Sequence, residues 1–193
     1  MSVFADYLDL RTAVIEQSGR PDIADVFDRL TKLAEARFNR SLRTRFQIAS
    51  EPISISENTA ALPDDYVEVI GVYGANGYEL TGQTLQRTAN VNWRTYYSLT
   101  STEINGPDGD LTLQYYAKVP TLTTSMTASN WLLEKYPDAY LYGVGYEAAL
   151  YLKDAAGAQA SGEILKQIMT DISSDDESAR YARAVVRVKG CTP

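Results

Sequence analysis

The sequence contains no histidine and a single cysteine, Cys191. Without imidazole, Ser/His/Asp and Cys/His nucleophile arrangements are excluded, because each needs that base. One thiol forms no internal disulfide and supplies no CxxC or mixed Cys/His metal framework, so Cys191 reads as an incidental exposed thiol. Neither G-x-x-x-x-G-K-[ST] nor G-x-G-x-x-G occurs, so nucleotide binding has no support and no cofactor is implied. The run SSDDES (173–178) lacks the alternating ligands and the glycine of an EF-hand loop, and no metal is assigned to it. No apolar run approaches the roughly 20 residues a bilayer crossing needs. The start, MSVFADYLDL, shows neither a basic region nor a cleavable hydrophobic stretch. The expectation is a chain with no membrane partner, made and kept in a cytosol, or assembled there.

What is present fits an ordinary folded chain: 193 residues, 45% hydrophobic and 22% charged, are enough for one substantial core and a small appended subdomain. The net charge of −7 is unevenly placed. Residues 1–45 hold 7 acids and 8 bases, residues 46–177 hold 18 and 6, and residues 178–193 hold none and 4, giving +1, −12 and +4. So acidic a middle does not bind nucleic acid by neutralising phosphates, which takes clustered Lys and Arg. The ending SARYARAVVRVKGCTP sets Arg180, Arg183, Arg187 and Lys189 beside an alternating Val-Val-Arg-Val stretch with no acid to offset them. That pattern suits an acidic or sheet-edge partner. Asp64-Asp65 and Asp175-Asp176 lie in Pro- or Ser-rich turn contexts and read as solvated loop or cap residues. A hydrolase using two carboxylates, as glycosidases do, is the enzymatic alternative.

Periodicity and punctuation give the elements. Val3–Gln17 reads as a helix with Phe4, Leu8 and Ile15 near one stripe, Tyr7 and Val14 beside it, and Gly19 as the stop. A second helix opens at Pro21 and carries Ile23, Val26, Phe27, Leu30, Leu33, Ala34 and Phe38 at helical spacing. Arg37, Arg40, Arg43 and Arg45 gather at its end, where the helix dipole favours cations. Extended pieces follow at FQIAS and PISIS, then a hairpin in YVEVIGVYGANGYEL, where Asn-Gly makes the turn. A second hairpin is expected in TEINGPDGDLTLQYYAKV, turning at Gly106–Gly109, with Leu111, Leu113 and Tyr115 on one strand face. Between the hairpins, LQRTANVNWRTYY is a short helix or an irregular arm.

The segment NWLLEKYPDAYLYGVGYEAALYLKD (130–154) is dense in tyrosine and poor in charge. Asn130 reads as the N-cap of a short helical turn, and Pro137 ends that turn while opening a longer helix. Leu141, Val144, Ala148 and Leu152 form its expected buried stripe, with Gly145 and Ala149 small enough to admit another helix. Trp131, Tyr136, Tyr140, Tyr142 and Tyr146 are candidates for subunit contacts, where tyrosine buries a ring and keeps its hydroxyl wet; covering the hairpins of the same chain is the other reading. A last helix, Ala160–Ile172, carries Ile164, Leu165, Ile168 and Ile172. The fold class expected is α+β: a single domain over 1–177, made of a helical bundle core (3–45 and 130–172, two N-terminal and two to three C-terminal helices) and a β-rich insertion (46–120) with inserted hairpins, followed by an extended C-terminal tail (178–193).

The succession LTKLAEARFNRSLRTRFQ, LPDDYVEV and GDLTLQYYAKVPTLTTSMTASNWLLEKYPDAYLYGVGYEAALYLKD, over about residues 5 to 155, resembles the head-to-tail adaptor (head completion, connector) proteins of tailed bacteriophages and phage-like gene transfer agents. The resemblance implies a structural protein of the virion neck, not an enzyme. It implies a dodecameric ring beneath the portal protein, through which DNA passes without sequence-specific binding during ejection, and a downstream tail or stopper protein below. The helices would form the ring wall, the hairpins at 66–118 would face the tail, and the C-terminal segment would climb onto the portal. In this chain that assigns portal binding to Arg180, Tyr181, Arg183, Val185, Val186, Arg187, Val188 and Lys189. Arg37, Arg40 and Arg43 either bridge to an adjacent subunit, line the channel, or form a solvated helix end. Another neck ring, such as a stopper or tail terminator, is the nearest structural alternative.

Overall fold

Local sequence signals divide the chain into helices at both ends and strands between them, and the computed structural model, which describes residues 3–84 and 95–181, is accordingly α+β. Two units result: a helical unit up to Arg45 and from Val119 onward, and a β unit, Phe46–Lys118.

In the helical unit Asp6 starts α1 (Tyr7–Ser18) by accepting a hydrogen bond from Asp9 N, and Gly19 ends it at φ 62°, a left-handed value that suits glycine. The residues before Tyr7 are not helical, and the buried stripe is Phe4, Tyr7, Leu10 and Val14; Leu8, expected inside, is half exposed. Pro21–Val26 is a 3-10 turn, so the second helix begins later than Pro21 suggests, as α2 (Phe27–Ser41). Its face of Phe27, Leu30, Thr31, Ala34, Glu35 and Phe38 is buried. Leu33 falls on the opposite side.

After the β unit, the chain forms α3 (Trp131–Lys135), α4 (Pro137–Tyr151) and α5 (Ala155–Tyr181). Asn130 caps α3 through Leu132 N and Leu133 N, and Pro137 occupies the first turn of α4, both as expected. The small residue that admits a helix is Gly143, not Gly145. A Cβ on Gly143 would stand 2.6 Å from Phe38 Cζ, so α2 crosses α4 there, whereas nothing lies within 4 Å of a Cβ on Gly145. The stripe expected from Leu141 to Leu152 turns accordingly: Tyr140, Gly143, Val144, Glu147 and Ala148 are buried, while Leu141 and Leu152 are half-buried. The last helix is 27 residues long, beyond both expected ends, and buries only Ala158, Leu165, Ile172 and Asp176. Ile164, expected inside, is exposed.

The β unit has two sheets. β1 (Ile48–Ile55), β3 (Tyr66–Gly74) and β7 (Gly109–Ala117) form one, in the antiparallel order β1-β7-β3. β2 (Thr59–Ala61), β4 (Thr81–Gly82), β5 (Tyr96–Leu99) and β6 (Glu103–Asn105) form the other, ordered β2-β6-β5-β4. Leu111, Leu113 and Tyr115 share the buried face of β7 as alternation predicts, and Ile53, Ile55, Val72, Leu80 and Ile104 complete the core. FQIAS and PISIS form one strand apart from Phe46, Gln47 and Ser56. Gly77, at φ 75°, closes the expected first hairpin, where Gly74 N donates to Tyr78 O and Leu80 N to Val72 O.

The second expected hairpin does not form. β6 and β7 lie in different sheets, and Gly106–Gly109 is the passage between them, tied to the β1–β2 turn by Gly106 N to Asn58 O and by Asn58 N to Asp108 Oδ1. That turn, Glu57-Asn58, has φ of 54° and 62°, the left-handed pair a two-residue hairpin requires; Asn58 suits it, and Glu57 is the residue that does not advertise it. The undecided arm LQRTANVNWRTYY falls outside the described residues over 85–94 and enters β5 at Tyr96.

Candidate assembly surfaces of the helical unit

Three polar constructions shape this unit. The first fastens the chain as it returns from the β unit. On α2, Asn39 Oδ1 accepts from Val119 N (2.8 Å), and one turn earlier Glu35 accepts from Leu122 N (2.8 Å) and Thr121 Oγ1 (2.7 Å). Tyr140 of α4 donates its hydroxyl to Glu35 (3.3 Å) and accepts from Asn130 Nδ2 (2.8 Å), which also donates to Pro120 O (2.6 Å). Burial pushes the Glu35 carboxyl above its ordinary value, with the hydrogen bonds from Thr121, Leu122 and Tyr140 opposing it. Burial, and then the neighbouring Glu35, push the Tyr140 hydroxyl well above its own. Tyr140, expected at a subunit contact, is therefore corrected: it is fully enclosed in its own chain, edge-on to Phe38 with ring centroids 5.2 Å apart.

The second construction joins α2, α4 and α5. Arg37 donates to Glu147 at 2.7 Å and lies 4.6 Å over the Tyr146 ring, a cation–π contact. Gly162 of α5 leaves room for that ring, since a Cβ there would meet Tyr146 at 3.0 Å. Arg37 thus has an acid within its own chain. Beside it runs an open groove of about 720 Å³, bounded by Ser41, Tyr146, Gly162, Lys166, Met169 and Ser173. A smaller hollow of about 240 Å³ lies where Gly145 faces α1 and α5, lined by Val14, Tyr142, Ala148 and Gly157.

The third clamps the end of α5. Asp176, buried, accepts from Arg45 N (2.9 Å) and pairs with Arg180 Nε (2.7 Å), while Arg180 also donates to Arg43 O (3.3 Å). Residues 178–181, expected in an extended tail, continue the helix, because this carboxylate gives Arg180 a partner one turn back and ties the helix to the segment that follows α2. Tyr181 is 65% exposed at the last described position. Arg183, Val185, Val186, Arg187, Val188 and Lys189 lie outside the described residues.

The other candidate residues have separate surroundings. Arg43 donates to Asn39 O (3.0 Å) and Leu42 O (2.6 Å), closing the carbonyl end of α2 as the dipole favours. Arg40 is exposed. Trp131, Tyr136 and Tyr142 are half-buried against the helical core. Burial raises the Tyr136 hydroxyl, with Asp175 adding to it and Arg45 opposing. Glu35 and Asn39 were not singled out from sequence, and the reading of Asp175-Asp176 as solvated turn residues is corrected: both lie within α5, where Asp175 is exposed but Asp176 is buried; a carboxylate or amide on the buried face of a helix whose neighbours are aliphatic is the signal that marks such residues.

Among the described residues, no three His, Cys, Asp or Glu side chains gather where they could hold a metal ion, and no helix is long and apolar enough to cross a membrane. The most enclosed carboxylates are held by backbone amides and neighbouring side chains of the fold itself. They fix elements in place.

No match is found among curated proteins. The model of one family, SU10 adaptor protein, matches residues 5–188, a span that takes in both units and most of the basic C-terminal segment. This chain belongs to the SU10 adaptor protein family, a family of structural phage adaptors.

Proposed function

We propose that the protein is the head–tail connector of a phage or phage-like particle. Copies form a dodecameric ring beneath the portal protein at the neck of the virion, extend the DNA channel, and offer the attachment site for a tail or stopper protein. The observation that carries this reading is the family match from residue 5 to residue 188, which spans both units and runs into the cationic segment as far as Val188. The charge distribution supports it: an acidic surface gives passing phosphates nothing to adhere to, and Arg183, Arg187 and Lys189 with the valines between them suit a strap that docks on a neighbour.

No bond-making step is assigned to this chain. Its work is mechanical: Glu35, Asn39 and Asp176 hold the helices in fixed relation, so that the exposed faces present a constant geometry to neighbours. The test is co-sedimentation with portal rings. The full chain is expected to sediment with portal as a ring complex, and a chain lacking residues 182–193 to bind at least tenfold more weakly. Equal binding by the shortened chain overturns the strap; location elsewhere in the particle would favour a stopper or tail terminator.

A further inference from the structure

The outward face of α2 is exposed along its length. Opposite its buried face, Arg29, Lys32, Leu33, Ala36 and Arg40 occupy one arc of about 100° on the helix, and four of them follow the spacing i, i+4, i+7, i+11. Leu33 is 50% exposed, and among the described residues no ion pair engages Arg29, Lys32 or Arg40. In a chain of net charge −7, a helix face with three cations and no acid is a sorted feature.

A complementary face exists on α5. Ile164, 42% exposed, stands in one arc with half-buried Ile168 and with exposed Asp171 and Asp175, again spaced i, i+4, i+7, i+11. The groove-lining residues of α5, Gly162, Lys166 and Ser173, lie on the opposite side of that helix, toward α2 of the same chain. The acidic stripe therefore looks away from its own α2 and cannot meet it within one molecule. Two complementary surfaces on different flanks of one unit are the arrangement of a head-to-tail contact.

We infer that the outward face of α2 in one copy docks on the Ile164–Asp175 face of α5 in the next, the helices antiparallel. In that register Arg29 and Lys32 meet Asp175 and Asp171, while Leu33 and Ala36 meet the two isoleucines; Ala36 lets the backbones approach. A second copy is favoured over DNA as occupant because Leu33 and Ala36, at the centre of the cationic stripe, offer phosphates nothing but fill a protein contact. The inference rests on the ring reading and names the surfaces that would make it.

The experiment uses the full chain with Cys191→Ser, assembled on portal rings and treated with a short bis-maleimide. Ala36→Cys and Ile164→Cys variants are expected to yield covalent dimers when mixed and none when either is alone, and a chain with both to yield a ladder. In parallel, Lys32→Glu is expected to weaken self-association at least tenfold, and Asp171→Lys in the same chain to restore it. If rings form on portal without the cross-link and Lys32→Glu leaves them intact, the docking is overturned while the ring stands. If neither parent nor variants form rings on portal, the ring reading fails and the docking with it. Loss of duplex DNA retention on Lys32→Glu, with self-association unchanged, overturns the docking in favour of a DNA face.

Discussion

The two units solve the problem of holding shape differently. The helical unit, residues 1–45 and 119–193, carries 16 acids and 15 bases, while the β unit, 46–118, carries 9 and 3. In the first, both signs are present and sorted: some charges are buried as anchors and others are ranked along single helix faces. In the second, the excess is negative and the order comes from backbone ladders, with β7 paired on both sides. Helices satisfy their own backbones and need side chains to fix how they lie against one another, whereas strands fix one another through their backbones. Buried Glu35, Asn130 and Asp176 therefore belong to the helical unit.

Large-to-small changes in each core give the largest expected effects. Phe38→Ala removes a fully buried ring set against Gly143 and Tyr140, and is expected to cost about 4 kcal/mol; Leu113→Ala in the β unit is expected to cost about 3 kcal/mol. Amide exchange is expected to accelerate first within the altered unit. Equal acceleration in both would break the comparison.

Next comes the lock. Glu35→Ala leaves Leu122 N and the Tyr140 hydroxyl buried without their acceptor, at an expected cost of about 2–3 kcal/mol by denaturant unfolding. The pH dependence has a definite sign. Because burial raises the folded value of Glu35 above the unfolded one near 4.3, its protonated form stabilises the fold at low pH, and that contribution is lost as pH rises through the folded value. Glu35→Gln is expected to abolish this falling component; an unchanged profile would contradict the assignment.

Smaller effects sharpen the contrast at the surface. Arg37→Ala loses a partly exposed ion pair and a ring contact, and about 1 kcal/mol is expected, since the Arg37 side chain is 35% exposed and the pair is screened. The smallest effect is a gain: replacing Glu57-Asn58 by Asn-Gly, through Glu57→Asn with Asn58→Gly, suits the left-handed turn and is expected to add about 0.5 kcal/mol. Thermal unfolding followed in the β unit checks it.

The helical faces were legible wherever the apolar residues repeat with the helix period, as from Phe27 to Phe38 with the exception of Leu33. Asn130 and Pro137 carried their own capping and turn chemistry. The misreadings share a cause: a single sequence shows which residues are apolar, not which of two plausible partners they meet. Gly145 and Gly143 are equally small, and only the position of Phe38 distinguishes them. Gly106–Gly109 has the composition of a hairpin turn, but its strands pair with others because the Glu57-Asn58 turn binds it. The reach of α5 to Tyr181 depends on Asp176 meeting Arg45, 131 residues away in the chain. Tyr140 reads as surface aromatic until Glu35 and Asn130 are brought to its hydroxyl.

The claim on which the rest depends is placement: a connector works only at the vertex where DNA leaves. Reconstruction of the assembled particle, with this chain identified by an added tag, is the direct measurement. A closed ring of copies in contact with the underside of the portal is the predicted result, with the cationic C-terminal segment reaching the portal surface. Density for this chain at the tail tip, on the capsid shell, or separated from the portal by another ring would contradict it.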